Sequence, residues 1–430
     1  MITLFGFIWL FLLGYNICKK NVEKVFFLTL FSMIFQCNDV FIIFSTGIGP
    51  QVITSFTFIV FSFFISEYSL KINKKVIFFT FPWFLLLLII IITNIINLTL
   101  TKNLFRVLQI YIYIVCFIRL FNLSRIYRID LDKMIRIIFW FVVIIGIFQY
   151  LMSTGILPKF WIAKSLLFNE QNNPVVFFYN TNVKRVFSTF MEASYCAPVL
   201  VGGFYYVMYE RFNNNFKKYD NLLLIILLIE IYLTLSATAY IIFIAVGIFT
   251  CLLLPNNKKS FIFKTLFIMV CLLGIIFLYE EVISKVESKL LSGSGVARNG
   301  WNIVALRKFN ANKLIGVGYK NSRASSLIFT ILSEMGLIGF GVYFFAIFTL
   351  FKSILNIKLL KSYVRKYLIL LISALLAQII SCPDLDFCVF WLFNYLVGIA
   401  YGLSLSKNYK LNYLYTKEGV INAEKIKKRI

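Results

Sequence analysis

The sequence contains no histidine among its 430 residues. Histidine is the usual general base, proton relay and metal ligand, so its absence removes these three roles together. Any chemistry in this chain must rely on Glu, Asp, Lys, Arg, Tyr or Ser. We expect neither a metal nor a cofactor.

Charged residues are scarce as well. They make up 14% of the chain, while 60% is hydrophobic and the mean hydropathy is +0.87. A typical soluble domain has about 25% charged residues. Apolar runs near 20 residues match a ~30 Å hydrocarbon core, and runs such as 84–92 do not alternate, which favours helical spans. The composition therefore predicts an all-α, polytopic integral membrane protein.

The net charge of +25 comes from Lys and Arg in short connectors between apolar runs. This pattern is typical of cytoplasmic loops in a membrane protein, so we predict contact with membrane lipid and not with nucleic acid. The eight cysteines lie almost entirely in apolar runs, without a Cys-x-x-Cys pair. Buried structural thiols are the favoured interpretation, over disulfides or a metal site.

The apolar runs predict about 13 spans, in a range of roughly 12 to 14, within one membrane domain covering 1–430. The first run lacks a charged n-region and a cleavage site, so we predict a span and not a cleaved signal peptide. The run 222–254 is too long for one span and is divided at Ser236-Ala237-Thr238. The predicted spans are 2–17, 25–44, 51–67, 76–98, 104–122, 134–153, 193–209, 221–235, 238–254, 261–279, 328–351, 366–381 and 386–404.

Alternate connectors are basic, which predicts an outside N-terminus and a cytoplasmic C-terminus with a basic tail at 405–430. Two long loops, at 154–192 and 280–327, fall on the outer side. In the first, Arg185 and Glu192 lie seven residues apart. On a helix they would share a face, either as a structural ion pair or as a phosphate ligand and a group acting on a hydroxyl.

The second outer loop is rich in cations and glycine. Arg298 and Arg307 have the planar donor fork that suits phosphate, and Gly316 and Gly318 permit close backbone approach. The alternative is a solvated surface loop. Further candidates are Lys320, Arg323 and Glu334, together with Trp301, which would stack on a sugar or anchor at the interface.

Four segments resemble the Wzy-type O-antigen and capsular polysaccharide polymerases, whose superfamily also includes O-antigen ligases. They are Arg185 to Ser194, LTLSATAYIIFIAVGIF at 233–249, SGSGVARNGWNIVALRKFNANKLIGVG at 292–318 and LSEMGLIGFGVYF at 332–344. The resemblance covers about 185–351. It implies a GT-C-like fold and a metal-independent glycosyltransferase of the bacterial cytoplasmic membrane. The expected substrate is an oligosaccharide on undecaprenyl diphosphate, and the expected partners are a flippase and a chain-length regulator.

Under this hypothesis Arg185, Arg298 and Arg307 bind the diphosphate and stabilise the leaving group. Glu192 is the preferred base toward the acceptor hydroxyl and Glu334 the second choice, while Lys320 and Arg323 are peripheral. Ligases of the superfamily generally carry a functional histidine in the large outer loop, so its absence favours a polymerase over a ligase.

Two further alternatives stay open. A flippase of the same lipid-linked unit predicts charges deep within spans, where Asp39 and Glu230 are the main cases. The Asp384-Leu385-Asp386 motif has three interpretations: a metal site, a base or acceptor-binding group, or a turn and helix cap, the last being favoured.

Overall fold

The computed structural model describes residues 2–36, 38–43, 46–65, 74–127, 129–157, 185–213, 215–255, 257–269, 293–355 and 361–406. Most of the predicted first outer loop, the start of the second and nearly all of the basic tail lie outside these residues. The described chain is overwhelmingly helical, as predicted. The helices are α1 (Leu4–Cys18), α2 (Val22–Ser32), α3 (Pro50–Ile65), α4 (Lys74–Ile96), α5 (Leu100–Ser124), α6 (Leu131–Ser153), α7 (Ala193–Phe212), α8 (Asp220–Leu233), α9 (Ala237–Leu253), α10 (Gly293–Ala311), α11 (Leu327–Leu355), α12 (Lys361–Ile380) and α13 (Cys388–Leu405).

Five of the described helices are long and apolar enough to cross a membrane: α5, α6, α11, α13 and residues Tyr363–Ile380 of α12. Shorter apolar helices occur at Leu4–Cys18, Pro50–Ile65, Thr80–Ile96 and Ala237–Leu253. The chain is therefore a helical membrane protein with several apolar helices. The predicted division of the run 222–254 is confirmed, because α8 ends at Leu233 and α9 begins at Ala237.

Helix α13 lies at the centre of the bundle. In its apolar 18-residue window 89% of the residues are buried, against 28% in α11. It packs against α5 and α12, and the Trp391 ring lies 5.4 Å from Trp83 of α4 and 5.5 Å from Tyr113 of α5, centroid to centroid. A helix that is apolar on every side is expected to be enclosed in this way.

The predicted span 25–44 is wrong in its second half. Helix α2 ends at Ser32, and strands β1 (Phe41–Ile43) and β2 (Thr46–Ile48) pair in an antiparallel manner. Aromatic and β-branched residues suit a strand as well as a helix, so a short apolar run does not distinguish the two. Asp39 therefore precedes a strand and does not lie within a span.

Five charged side chains, four of them buried, meet where α6, α8 and α12 begin and α7 ends. Lys366, whose side chain is 1% exposed, donates to Asp132 at 2.6 Å and to Glu210 at 3.1 Å. Arg136 donates to both carboxylate oxygens of Asp220 at 3.1 Å. The network joins segments predicted as separate cytoplasmic connectors, and pairing is what makes such buried charges tolerable.

Candidate functional site

The backbone of residues 313–318 forms hydrogen bonds with helix α11 at the point where that helix is interrupted. Gly336 has φ +65° and ψ −164°, which interrupts the helical hydrogen bonding. Four hydrogen bonds with N···O distances of 2.8–3.3 Å join the two segments: Val317 N–H to Ser333 O, Gly318 N–H to Glu334 O, Leu337 N–H to Lys313 O and Ile338 N–H to Leu314 O. These bonds satisfy groups that the break removes from the helix, as a buried backbone requires.

Two glycines permit this close contact. Gly316 has φ +75°, and a Cβ there would lie 2.5 Å from the Met335 amide nitrogen. A Cβ on Gly336 would lie 2.6 Å from the Ile315 amide nitrogen. Gly318, with φ +92°, faces the side chains of Asn321 and Thr99. The structure thus gives these glycines contacts within the protein, while substrate binding by Gly316 and Gly318 stays a prediction.

Lys320, two residues beyond this contact segment, places a cation at the end of the bundle. Lys320 follows Gly316 and Gly318 and has a left-handed φ of +61°. Its ammonium donates to Asp384 at 2.5 Å and to Asp386 at 2.9 Å, in the turn between α12 and α13. Arg106 of α5 approaches the other Asp386 oxygen at 3.5 Å. Three separate parts of the chain therefore meet in one ionic cluster.

Lys320 and Asp386 keep their charges over a wide pH range. Burial lowers the pKa of Lys320, but the carboxylates of Asp386 and Asp384 outweigh it and raise that pKa well above its usual 10.5. Burial raises the pKa of Asp386, but Lys320 and Arg106 outweigh it and hold that pKa below 3.8. Each ion thus stabilises the charged form of its partner.

Glu192 and Arg298 belong to the same end of the bundle. Burial raises the pKa of the Cys382 thiol, the charges of Asp384 and Glu192 raise it further, and Arg298 acts in the opposite direction. Tyr195 of α7 donates its hydroxyl to Asp384 at 3.3 Å. Glu192 immediately precedes α7 and accepts a hydrogen bond from the Ser194 hydroxyl at 3.2 Å. The Cys382 thiol donates to the Ser194 carbonyl at 3.6 Å, so Glu192 and Lys320 lie near the same turn, and Arg298 is close enough for its charge to act on Cys382.

Glu334 lies beneath this cluster, only 1% exposed. Its carboxylate faces the backbone amides of Lys320 and Ser322, yet neither oxygen reaches a donor at hydrogen-bond distance among the described residues. The hydroxyl of Tyr319, which is 1% exposed, and that of Ser322 likewise have no hydrogen-bond partner in this part of the structure. The interior behind Lys320 therefore holds polar groups with unused hydrogen-bonding capacity.

Arg298 and Arg307 lie on α10, within the region predicted as a loop. Nine residues of helix give about 13.5 Å of rise and about half a turn of net rotation, so the two side chains face opposite directions. Arg298 is half-buried and Arg307 is exposed, with no ion-pair partner among the described residues. One diphosphate cannot reach both.

Other contacts hold α10 against the segment that carries Lys320. The Arg323 guanidinium lies 3.9 Å from the centroid of the Trp301 ring. Lys308 donates to the Asn321 carbonyl at 2.6 Å, and Asn302 accepts from Ser325 at 2.9 Å. Trp301 and Arg323 are thus partners of each other.

The segment at 185–192 is not helical, so the predicted shared helix face of Arg185 and Glu192 is wrong. Gln149 of α6 accepts hydrogen bonds from the backbone N–H groups of Phe187 and Ser188 at 2.8 Å each. A side chain distant in sequence thereby replaces the helical hydrogen bonds. Arg185 is exposed and its charge acts on Tyr240, and no described contact joins it to the Lys320 cluster.

Sequence reasoning missed several residues of this site. Arg106 and Tyr195 had no motif to mark them, although Arg106 is a charged residue near the start of the predicted span 104–122. A polar cluster also supports Lys320 from the α4–α5 turn. Asn103 donates to the Tyr319 carbonyl at 2.7 Å, and Asn321 donates to Thr99 at 2.9 Å. The concentration of Asn and Thr residues between two apolar runs was the feature of the sequence that could have indicated this polar cluster.

Asp384 and Asp386 already hold cations of the protein itself. Their side chains contact Lys320, Arg106 and Tyr195, which is the environment of a salt-bridged pair. Among the described residues there is no group of three Cys, Asp or Glu side chains arranged to hold a metal ion.

Neither a known protein family nor a curated protein matches this sequence.

Proposed function

We propose that this chain is a polysaccharide polymerase that joins undecaprenyl-diphosphate-linked repeat units at the outer face of the cytoplasmic membrane. The observation that carries the proposal is the cluster at one end of a helical membrane bundle. Lys320 and Arg106 contact Asp384 and Asp386 there, and Glu192 and Arg298 are close enough for their charges to act on the adjoining Cys382. Cations that meet a departing phosphate and a carboxylate that accepts a hydroxyl proton are the two requirements of such a transfer.

The proposed reaction transfers a glycan between two lipid carriers. The acceptor hydroxyl attacks the anomeric carbon of the donor chain, and the carbon–oxygen bond to the lipid diphosphate breaks. The diphosphate leaves with the electron pair, where Arg298 and Lys320 stabilise its charge. The proton of the acceptor hydroxyl passes to Glu192, which precedes α7 at the cluster. No metal takes part in this scheme.

The opposite orientation of Arg298 and Arg307 fits a reaction with two diphosphate substrates. In the proposal Arg298 serves the donor diphosphate at the cluster. Arg307, about 13.5 Å further along α10 and on its other side, serves the second lipid carrier. Arg185 and Arg323 stay candidate substrate ligands at the edge. The finer architecture belongs to the same proposal: about 13 spans in a GT-C-like arrangement, with the N-terminus outside and the C-terminus in the cytoplasm.

The first test is the lipid-linked glycan profile of cells that lack this protein. A polymerase predicts single undecaprenyl-linked units on the outer face and loss of long chains. Long chains that stay on lipid would indicate a ligase instead, and units held on the cytoplasmic face would indicate a flippase. The flippase is the second candidate because Glu230, in a predicted span, is 1% exposed without a hydrogen-bond partner for its carboxylate among the described residues.

A second test assigns residues. In membranes supplied with lipid-linked units, Arg298→Ala is expected to slow polymerisation by roughly 100-fold, the scale of losing one transition-state donor. Arg211→Ala removes the same charge near the C-terminus of α7, at the opposite end of that helix, and should leave the rate unchanged. Polymer of normal length and yield from well-expressed Arg298→Ala would contradict the assigned role.

A further inference from the structure

The two aspartates that hold Lys320 differ in accessibility. Asp386 has a 7% exposed side chain and contacts both Lys320 and Arg106, so its charge is fixed between two cations. The Asp384 side chain is 39% exposed, and one oxygen meets Lys320 while the other accepts from the Tyr195 hydroxyl. A buried, doubly paired carboxylate is costly to move, whereas a partly solvated one exchanges readily.

The donors around Asp384 match those that bind a phosphate oxygen. An ammonium and a phenolic hydroxyl converge on one carboxylate, which has the charge and oxygen spacing of one edge of a phosphate. Without Asp384, Lys320 and Arg106 carry one positive charge more than Asp386 neutralises. Arg298 adds to it, since its charge also reaches Cys382, two residues from Asp384.

A second, independent observation points to a ligand here. The Tyr319 hydroxyl is buried and has no hydrogen-bond partner among the described residues, and the Lys320 ammonium lies 5.6 Å from the centroid of the same ring. Glu334 acts electrostatically on both residues. Polar groups with unused hydrogen-bonding capacity thus adjoin the exchangeable ion pair, and buried groups of this kind normally have partners.

We propose that Asp384 is an exchangeable stand-in for a phosphate, and that a phosphate-bearing anion displaces its carboxylate from Lys320 and Tyr195. Asp386 stays in place and keeps Lys320 and Arg106 in position for the incoming anion. Asp384 thereby competes with the ligand, so weakly charged anions are excluded and a diphosphate is favoured. The inference rests on the proposed function for the identity of the lipid carrier, but the exchange itself does not depend on polymerisation.

The test measures binding to the purified full chain in detergent by isothermal titration calorimetry, with chelator present. The probes are inorganic pyrophosphate and farnesyl diphosphate. Asp384→Asn keeps an acceptor for Tyr195 and removes the competing charge. It is expected to bind pyrophosphate roughly five- to tenfold more tightly, the scale expected for removing one like charge from a partly solvated site. Lys320→Met is expected to lose binding.

Glu23→Gln is the matched control, because Glu23 is an exposed acid at the start of α2 and its loss changes the net charge equally. Its affinity should equal that of the unmodified chain. The proposal is overturned if Asp384→Asn binds pyrophosphate no more tightly than the unmodified chain, and this holds even if Lys320→Met fails to fold. It is also overturned if no variant binds pyrophosphate. If farnesyl diphosphate binds more tightly than pyrophosphate, the natural ligand is a lipid head group. If the two affinities are equal, the ligand is a free phosphate. Both outcomes support the exchange of Asp384 for a phosphate. This binding assay uses no glycan. A cell experiment that rules out the polymerase would therefore not change its result.

Discussion

Replacing Gly316 with alanine tests the contact on which the whole site is built. Gly316 has φ +75°, and an added Cβ would lie 2.5 Å from the Met335 amide nitrogen and still closer to the Glu334 backbone. The opposing atoms are backbone and cannot rotate away. The segment must therefore move from α11 and weaken the four hydrogen bonds between residues 313–318 and 333–338.

The expected cost follows from two terms. A residue with a side chain in the left-handed region costs about 1–2 kcal/mol. Each backbone hydrogen bond contributes about 1 kcal/mol net, and more where separation leaves a buried group unsatisfied. Because relaxation spares part of the contact, we expect Gly316→Ala to destabilise the protein by roughly 3–6 kcal/mol, at the high end for a single substitution.

The measurement is the midpoint of thermal unfolding of the detergent-solubilised chain, followed by tryptophan fluorescence. Gly300→Ala is the matched control, because no atom lies within 4 Å of its added Cβ and the position lies inside α10. It should raise the midpoint slightly, since alanine favours a helix by up to about 1 kcal/mol over glycine. The reasoning is refuted if Gly316→Ala unfolds at the same temperature as the unmodified chain.

Three further predictions concern stability. Gln149→Leu removes the acceptor of two buried backbone N–H groups. We therefore expect the free energy of unfolding to fall by roughly 2–5 kcal/mol and protease cleavage near 185–192 to become faster. An unchanged cleavage pattern would contradict this prediction. Lys366→Met leaves Asp132 without an ion-pair partner among the described residues and leaves the buried Glu210 with Arg136 alone, at 3.5 Å, and should cost about 3–5 kcal/mol. The double variant with Glu210→Gln should recover part of this loss, and strictly additive losses would argue against the network. The stabilisation from the Lys320–Asp386 pair should be constant between pH 5 and 9, because it is lost only as pH rises through the raised pKa of Lys320 or falls through the lowered pKa of Asp386. The check is the difference in unfolding midpoint between the unmodified chain and Asp386→Asn, and a marked change within that range would contradict the assigned pKa directions.

Local patterns predicted some elements well. The small-residue turn at Ser236 divides a run that is too long for one span, and helices end and begin again on either side of it. Other elements were beyond local patterns. The polar composition of α10 indicated a loop, but its half-buried face, with Trp301 and Ala305, packs near the Lys320 segment and stabilises a helix. The sequence did not reveal the strand pair β1 and β2, because its residues suit a strand as well as a helix.

The sequence by itself determined that this is a helical membrane protein without histidine chemistry, because hydropathy and composition are properties of residues and not of their arrangement. It also marked Glu192, Arg298 and Lys320 as candidates. Only the tertiary structure decided that these three share one end of the bundle with Arg106, Asp384 and Asp386, while Arg307 faces away. Ion pairs between segments more than 60 residues apart depend on how helices pack, and no local pattern records that.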